Sequence, residues 1–125
     1  MKKLFQIVLV SSLSLLCLSC YYDEIIEEIV EEIPTDPNDP DYIEIKFGAD
    51  IQPIFTDHCM NCHNENRDPD LRVGNSYDAL LPDYVTPENA DASLLYTKLV
   101  DGHQNLSANK IALIQGWINQ GANKN

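Results

Sequence analysis

Apolar residues follow three different patterns along the chain, and each predicts a different kind of segment. From Leu4 to Leu18 they run almost without a break, behind Met1-Lys2-Lys3 and up to Ser19-Cys20. A positive start, a short apolar run and a small residue before the cut make a secretory signal. The run is too short to predict a membrane span, which takes about twenty apolar residues. From Tyr21 to Ile33 the spacing becomes helical: Ile25, Ile26, Ile29, Val30 and Ile33 recur, with Glu27, Glu28, Glu31 and Glu32 opposite. Stacked glutamates repel and so short a helix is marginal alone, so this stretch predicts a mobile stalk with transient helix. Pro34, Pro37 and Pro40 forbid continuous helix and predict a linker. The acidic residues between them do not form an EF-type calcium loop, because Pro40 stands at a ligand position and no closing glutamate follows.

The third pattern predicts helices over the rest of the chain. Asp50 is placed to cap one in which Ile51, Ile54 and Phe55 share a face, with Pro53 tolerated in the first turn. Residues 64–75 are polar, carry Pro69 and Gly74, and predict a loop. A short helix follows over Ser76 to Leu81. Another starts near Asp91 or Ser93, carries Leu94, Leu95, Tyr96, Leu99 and Val100, and stops at Asp101-Gly102. Ser107 opens a last helix with Ile111, Ile114 and Ile118 on one stripe, Leu113 and Trp117 beside it, and Gly121 at its end. No stretch alternates convincingly as a strand, and no repeat is visible. The expectation is an all-α protein: signal peptide 1–19, acidic stalk and linker 20–46, helical domain 47–125.

Charge changes the picture in one respect. Eight Lys and Arg against twenty Asp and Glu give a net charge of −12, with no basic stripe to neutralise phosphates, which argues against a nucleic-acid partner. Loss of residues 1–19 removes Lys2 and Lys3 and no acid, leaving six bases against twenty acids. Ten of those acids lie in residues 20–46, so the tether carries most of the charge. The remaining 79 residues make a small core, and domains of this size usually need a disulfide, a metal or a cofactor as a staple.

The cysteines name the candidates. Leu18-Ser19-Cys20 resembles a bacterial lipobox, in which Cys20 is lipidated and becomes the new N-terminus; Cys17, where the motif usually has Leu, is a departure. With Cys17 and Cys20 spent, Cys59 and Cys62 are left for chemistry in an exported, oxidising setting. They sit in Cys59-Met60-Asn61-Cys62-His63, a C-x-x-C-H sequence, the attachment motif of c-type haem. Two thiols three residues apart at a helix end can reach two vinyl groups on one porphyrin edge, and the adjoining imidazole can swing under the iron. The competing readings are poorer. A Cys59–Cys62 disulfide closes a very small loop and stabilises little. A thioredoxin-like pair wants a βαβ context, and zinc would need further ligands from His58 and His103.

Here the chain resembles a known family. Ile51-x-Pro53-Ile54-Phe55 before C-x-x-C-H, Leu71-Arg72-Val73 after it, Ala92-Ser93-Leu94-Leu95-Tyr96 and Trp117-Ile118-Asn119-Gln120-Gly121-Ala122 are similar to the small monohaem cytochrome c domains of exported bacterial proteins. The resemblance implies a class I cytochrome c-like fold around one covalent haem c, with Cys59 and Cys62 as attachment points, His63 as proximal iron ligand, and electron transfer as the activity. The family's usual distal methionine is missing. Met60 lies between the attachment cysteines, where it cannot reach the opposite haem face. His103, in Asp101-Gly102-His103-Gln104, stands where that ligand normally falls and is the expected sixth ligand. The alternative is an open, five-coordinate iron with peroxidase or small-ligand-binding activity. Arg67 and Arg72 are candidates for the haem propionates, His58 is read as a solvent-facing or neighbouring residue, and Trp117 as packing with an indole N–H in need of a partner. The expected partners are a membrane, through the lipid on Cys20, and a redox protein with a basic patch that fits the acidic domain. The expected location is the bacterial cell envelope, at the outer membrane, with Asp23 and Glu24 similar to surface-export signals of some Gram-negative lipoproteins.

Overall fold

The computed structural model describes residues 33–125. The expected signal peptide 1–19, Cys20 and the acidic stretch 21–32 lie outside the described residues. The chain runs through a π-helical turn, Phe47–Ile51, directly into α1, Gln52–His58, and then through α2, Ser76–Leu80, α3, Leu94–Val100, and α4, Ala108–Asn119. The described residues contain no strand, so the all-α expectation holds at that level. None of these helices is long and apolar enough to cross a membrane.

Local chemistry accounts for where the helices begin and end. The first starts earlier than expected: the coil is already formed at Phe47, so Asp50 lies inside it. Its carboxylate instead accepts from the Lys46 amide at 2.7 Å, satisfying an amide at the helix entrance from within, as the acid of a capping box does. Pro53 occupies the first turn of α1, where its missing N–H has no consequence. α2 ends one residue before the expected Leu81, which is extended with ψ 136° because Pro82 follows it. Ser93 precedes α3, but its buried hydroxyl gives no bond to the helix. It donates towards the Asn89 carbonyl at 2.8 Å and accepts from the Thr86 amide at 2.9 Å, which pins the preceding turn. α3 ends at Asp101 and Gly102, the latter at φ +81°, a left-handed conformation that glycine adopts without a Cβ clash.

α4 is the axis of the core. Ile114, Trp117 and Ile118 are all fully buried on it, and the π turn and α3 both pack against it. Phe47 lies 5.2 Å from the Trp117 ring and 5.2 Å, edge-on, from Tyr77. The polar ends of these aromatics are satisfied by the chain terminus: the indole N–H donates to the Asn123 carbonyl at 3.0 Å and the Tyr77 hydroxyl to the Ala122 carbonyl at 2.9 Å. The expected packing role of Trp117 and its need for an N–H partner are both met.

The packed body extends further towards the N-terminus than the expected boundary at residue 47. Ile45 is buried, and Ile33 packs against the core. Gln120, just past α4, ties this segment down: its carbonyl oxygen accepts from the Ile45 amide at 2.9 Å, and its amide donates to the carbonyls of Pro34 and Ile43, both at 3.0 Å. Composition marked residues 34–41 as linker correctly in a local sense, yet the apolar residues on either side of the prolines find a groove that only the folded helix provides. The groove exists because residue 116 is glycine. A Cβ there would stand 2.6 Å from Ile45 Cδ1 and 3.2 Å from Ile33 Cβ.

Gly116→Ala is therefore expected to lower stability by about 1–3 kcal/mol despite alanine's better helix propensity, the scale of an overpacked core site. Proteolysis should also become faster between residues 35 and 44. A variant at least as stable and as resistant as the parent would show that the segment does not rest on α4.

Candidate functional site

The end of α1 is what presents the C-x-x-C-H residues. The Phe55 carbonyl accepts from both Cys59 and Met60 at 2.9 Å, and the Cys59 carbonyl accepts from Cys62 at 3.1 Å and His63 at 2.9 Å. The chain thus leaves the helix in a second tight turn, and Cys59, Cys62 and His63 all reach the wall of one cavity of about 540 Å³. The turn is fixed from behind. The Leu71 amide donates to the His63 carbonyl at 3.1 Å, the Gln52 amide donates to the Leu71 carbonyl at 3.2 Å, and the Ser76 hydroxyl donates to Gln52.

The cavity has apolar walls of Leu71, Leu80, Leu95 and Leu99, and Tyr84 completes them. Its volume falls in the range of cofactor sites, about 300–1,000 Å³. α3 and the loop after it bring His103 to the same space, so the two imidazoles of His63 and His103 have ring centroids 5.8 Å apart at an interplanar angle of 62°. Rings at that distance and angle are edge-to-face neighbours. His63 Nδ1 is buried with no hydrogen-bond partner in the protein, which is unusual for a buried polar atom. Among the described residues no cluster of three or more His, Cys, Asp or Glu side chains could hold a metal ion. A planar group that supplies its own ligands to the metal needs no such cluster.

The two thiols are free and unlike. Cys59 is half-buried and desolvation pushes its pKa up to about 11, whereas Cys62 is exposed. The two arginines also differ. Arg67 lies on the cavity wall. Arg72 is committed elsewhere: Nε and Nη2 donate to Asp70 at 2.9 and 2.8 Å, and Nη1 donates to Glu65 at 2.6 Å. The Arg72 hydrogen bonds, helped by Asn75, hold the Asp70 carboxyl well below the usual carboxylate range. The same acids raise Arg72 above its ordinary value. Arg72 is thus a brace of the 64–75 loop and does not line the cavity.

The lining residues that went unremarked in the sequence as site residues include Asp68, Tyr84, Lys98 and Gln104. Lys98 has a legible signal, since it stands three residues after Leu95 and one before Leu99 on the face that α3 turns to the cavity. Tyr84 and Gln104 have none, because loop residues carry no periodicity. His58 also lines the space, with Nε2 2.9 Å from Lys110 Nζ and its carbonyl accepting from the Gln104 amide at 2.9 Å. No family model, curated protein or solved structure matches the chain.

With no covalent group attached, the two cysteines should alkylate at different rates. At about pH 8, near the ordinary thiol range, Cys62 is expected to be modified well before Cys59. Because burial raises the Cys59 pKa, its thiolate appears only as pH climbs, and its rate should keep rising until pH passes about 11. Equal rates for the two peptides at pH 8 in a mass-spectrometric assay would show that Cys59 is not desolvated.

Proposed function

We propose that the protein is a monohaem c-type cytochrome, anchored to the cell envelope by a lipid on Cys20, that carries electrons to or from a partner protein. One observation carries this reading: the C-x-x-C-H turn opens onto an apolar cavity of about 540 Å³ with a second imidazole 5.8 Å across it from the first. The finer fold assignment, a class I cytochrome c-like arrangement, belongs to the same proposal. It is supported by the packing of the first helical segment against the last around Phe47 and Trp117.

Bound haem would supply one-electron chemistry at iron. The rest is done by the chain. Cys59 and Cys62 would hold the group covalently by their thiols, and His63 and His103 would offer it imidazole ligands. Leu71, Leu80, Leu95 and Leu99 supply apolar wall, and Arg67 would be the guanidinium to pair with a propionate. Lys98 is a second cation on the wall. The excess of acids on the domain fits a partner with a basic patch. A five-coordinate, ligand-binding or peroxidase protein is the second reading, and the exposure of His103 is the observation on its side.

Co-expression with a cytochrome maturation system should give protein whose mass is raised by one haem after denaturation, and replacing Cys59 and Cys62 together should abolish the increase. An unmodified mass in the parent protein would defeat the proposal. The parent should be low-spin, without the methionine-to-iron charge-transfer band, and its reduction potential should lie below that of His/Met cytochromes, because thioether ligation raises the potential. His103→Ala should convert it to a high-spin, carbon-monoxide-binding form. A parent already high-spin would select the second reading. Cys20→Ser should release the protein from membranes, and continued membrane partition would rule out the lipid anchor.

A further inference from the structure

We infer that Gln104 is a positioning residue for His103, setting the distance between the two imidazoles by clamping the distal loop to the helix that carries the C-x-x-C-H turn; the inference rests on the haem reading proposed above. It starts from an acceptor that the backbone leaves over. Carbonyls in the last turn of a helix have no intrahelical donors. After α1 the amides of Cys59 and Met60 go to Phe55 and those of Cys62 and His63 go to Cys59. The His58 carbonyl, which Cys62 would serve if the helix continued, is passed over. The Gln104 side-chain amide donates to it at 2.9 Å across a separation of 46 residues in sequence.

Gln104 is the immediate neighbour of His103, and the backbone alone holds that loop loosely. Gly102 at φ +81° and an exposed Asp101, Gly102 and His103 lead into it. Its backbone bonds run from the Gly102 amide to the Leu99 carbonyl at 3.0 Å, from the His103 amide to the Lys98 carbonyl at 3.0 Å and from the Leu106 amide to the Gln104 carbonyl at 2.8 Å. All three stay within α3 and the loop itself, and none reaches the helix that carries the cysteines. Gln104 does reach it, one residue from Cys59. A second contact lies beside the first, Lys110 Nζ of α4 at 2.9 Å from His58 Nε2. His58 therefore receives the distal loop and the last helix together, and the residue next to His103 is tied to the residue next to Cys59, one helical turn ahead of His63.

Such a clamp acts through how often the distal imidazole leaves the iron, so carbon monoxide binding to the reduced holoprotein reads it directly. Gln104→Leu keeps much of the side-chain bulk and removes the donor; Gln104→Glu presents a carboxylate to the carbonyl. Both are expected to retain the low-spin ferric spectrum in the main and to bind carbon monoxide about five- to tenfold faster than the parent, the scale of one lost hydrogen bond. In a His103→Ala background the same Gln104→Leu change should alter the rate by less than about twofold, because no distal imidazole remains to position. An equal acceleration in that background would show that Gln104 merely shields the cavity, and parental rates in both single variants would show that the clamp does not hold His103. Either result overturns the inference while leaving the haem reading intact. A parent that is high-spin and indifferent to His103→Ala would remove the distal ligand itself, and the inference with it.

Discussion

Phe47 joins the start of the helical body to its end. Its ring packs 5.2 Å from Trp117 on the last helix and 5.2 Å from Tyr77 on α2, and the backbone repeats the connection, with the Phe47 amide donating to the Asn125 side chain and the Gly48 amide to the Asn125 carbonyl. Because the π turn continues directly into α1, anchoring Phe47 orients α1 and so aims the turn that follows it. The cysteines and His63 point into one space as a consequence of an aromatic cluster on the far side of the helix. In a body of this size the apolar surface is scarce, and the aromatic cluster concentrates it where Phe47 meets α4 and the C-terminal residues.

The cavity is the other half of the arrangement. A packed interior leaves few voids larger than a water molecule, and here leucines from the 71 loop, α2 and α3 surround about 540 Å³ without closing it. Apolar walls around a void forfeit the dispersion contacts that a filled core has. The helices are held apart by their ends: Ser93 and Thr86 fix the turn before α3, and the Arg72–Asp70–Glu65 group stiffens the loop after the cysteines. Exposed ion pairs of this type contribute little stability, but they restrict a long polar loop to one course. A bound group that recognises only the folded cavity would add its binding energy to folding.

The segment before residue 47 shows how a polar tether is attached to such a body. Gln120 makes three hydrogen bonds to it and Gly116 leaves room for Ile33 and Ile45, so the chain arrives pressed against α4. The prolines between 34 and 40 hold a short excursion between the two anchor points, with Asp36 and Asp39 accepting from amides two residues on, as such side chains do in turns.

Sequence by itself determined the helical class, the positions of α2, α3 and α4 to within a residue or two and the role of Trp117, and it singled out Cys59, Cys62 and His63, which line one cavity. Those are local properties: apolar periodicity, Ser93, Ser107, Gly102 and Gly121 at helix boundaries, and a motif whose spacing carries its own geometry. Tertiary structure alone decided that Arg67 faces the cavity while Arg72 turns to Asp70 and Glu65, that Ile33 and Ile45 belong to the core, and that Gln104 crosses to His58. Each of these pairs residues whose meeting depends on how helices pack, and nothing in the residues between them encodes it. The first helix shows both sides. Pro53 and the Ile51, Ile54, Phe55 face were legible, but the demand of Phe47 for Trp117 moved the start of the coil four residues ahead of Ile51 and made Asp50 an internal acceptor.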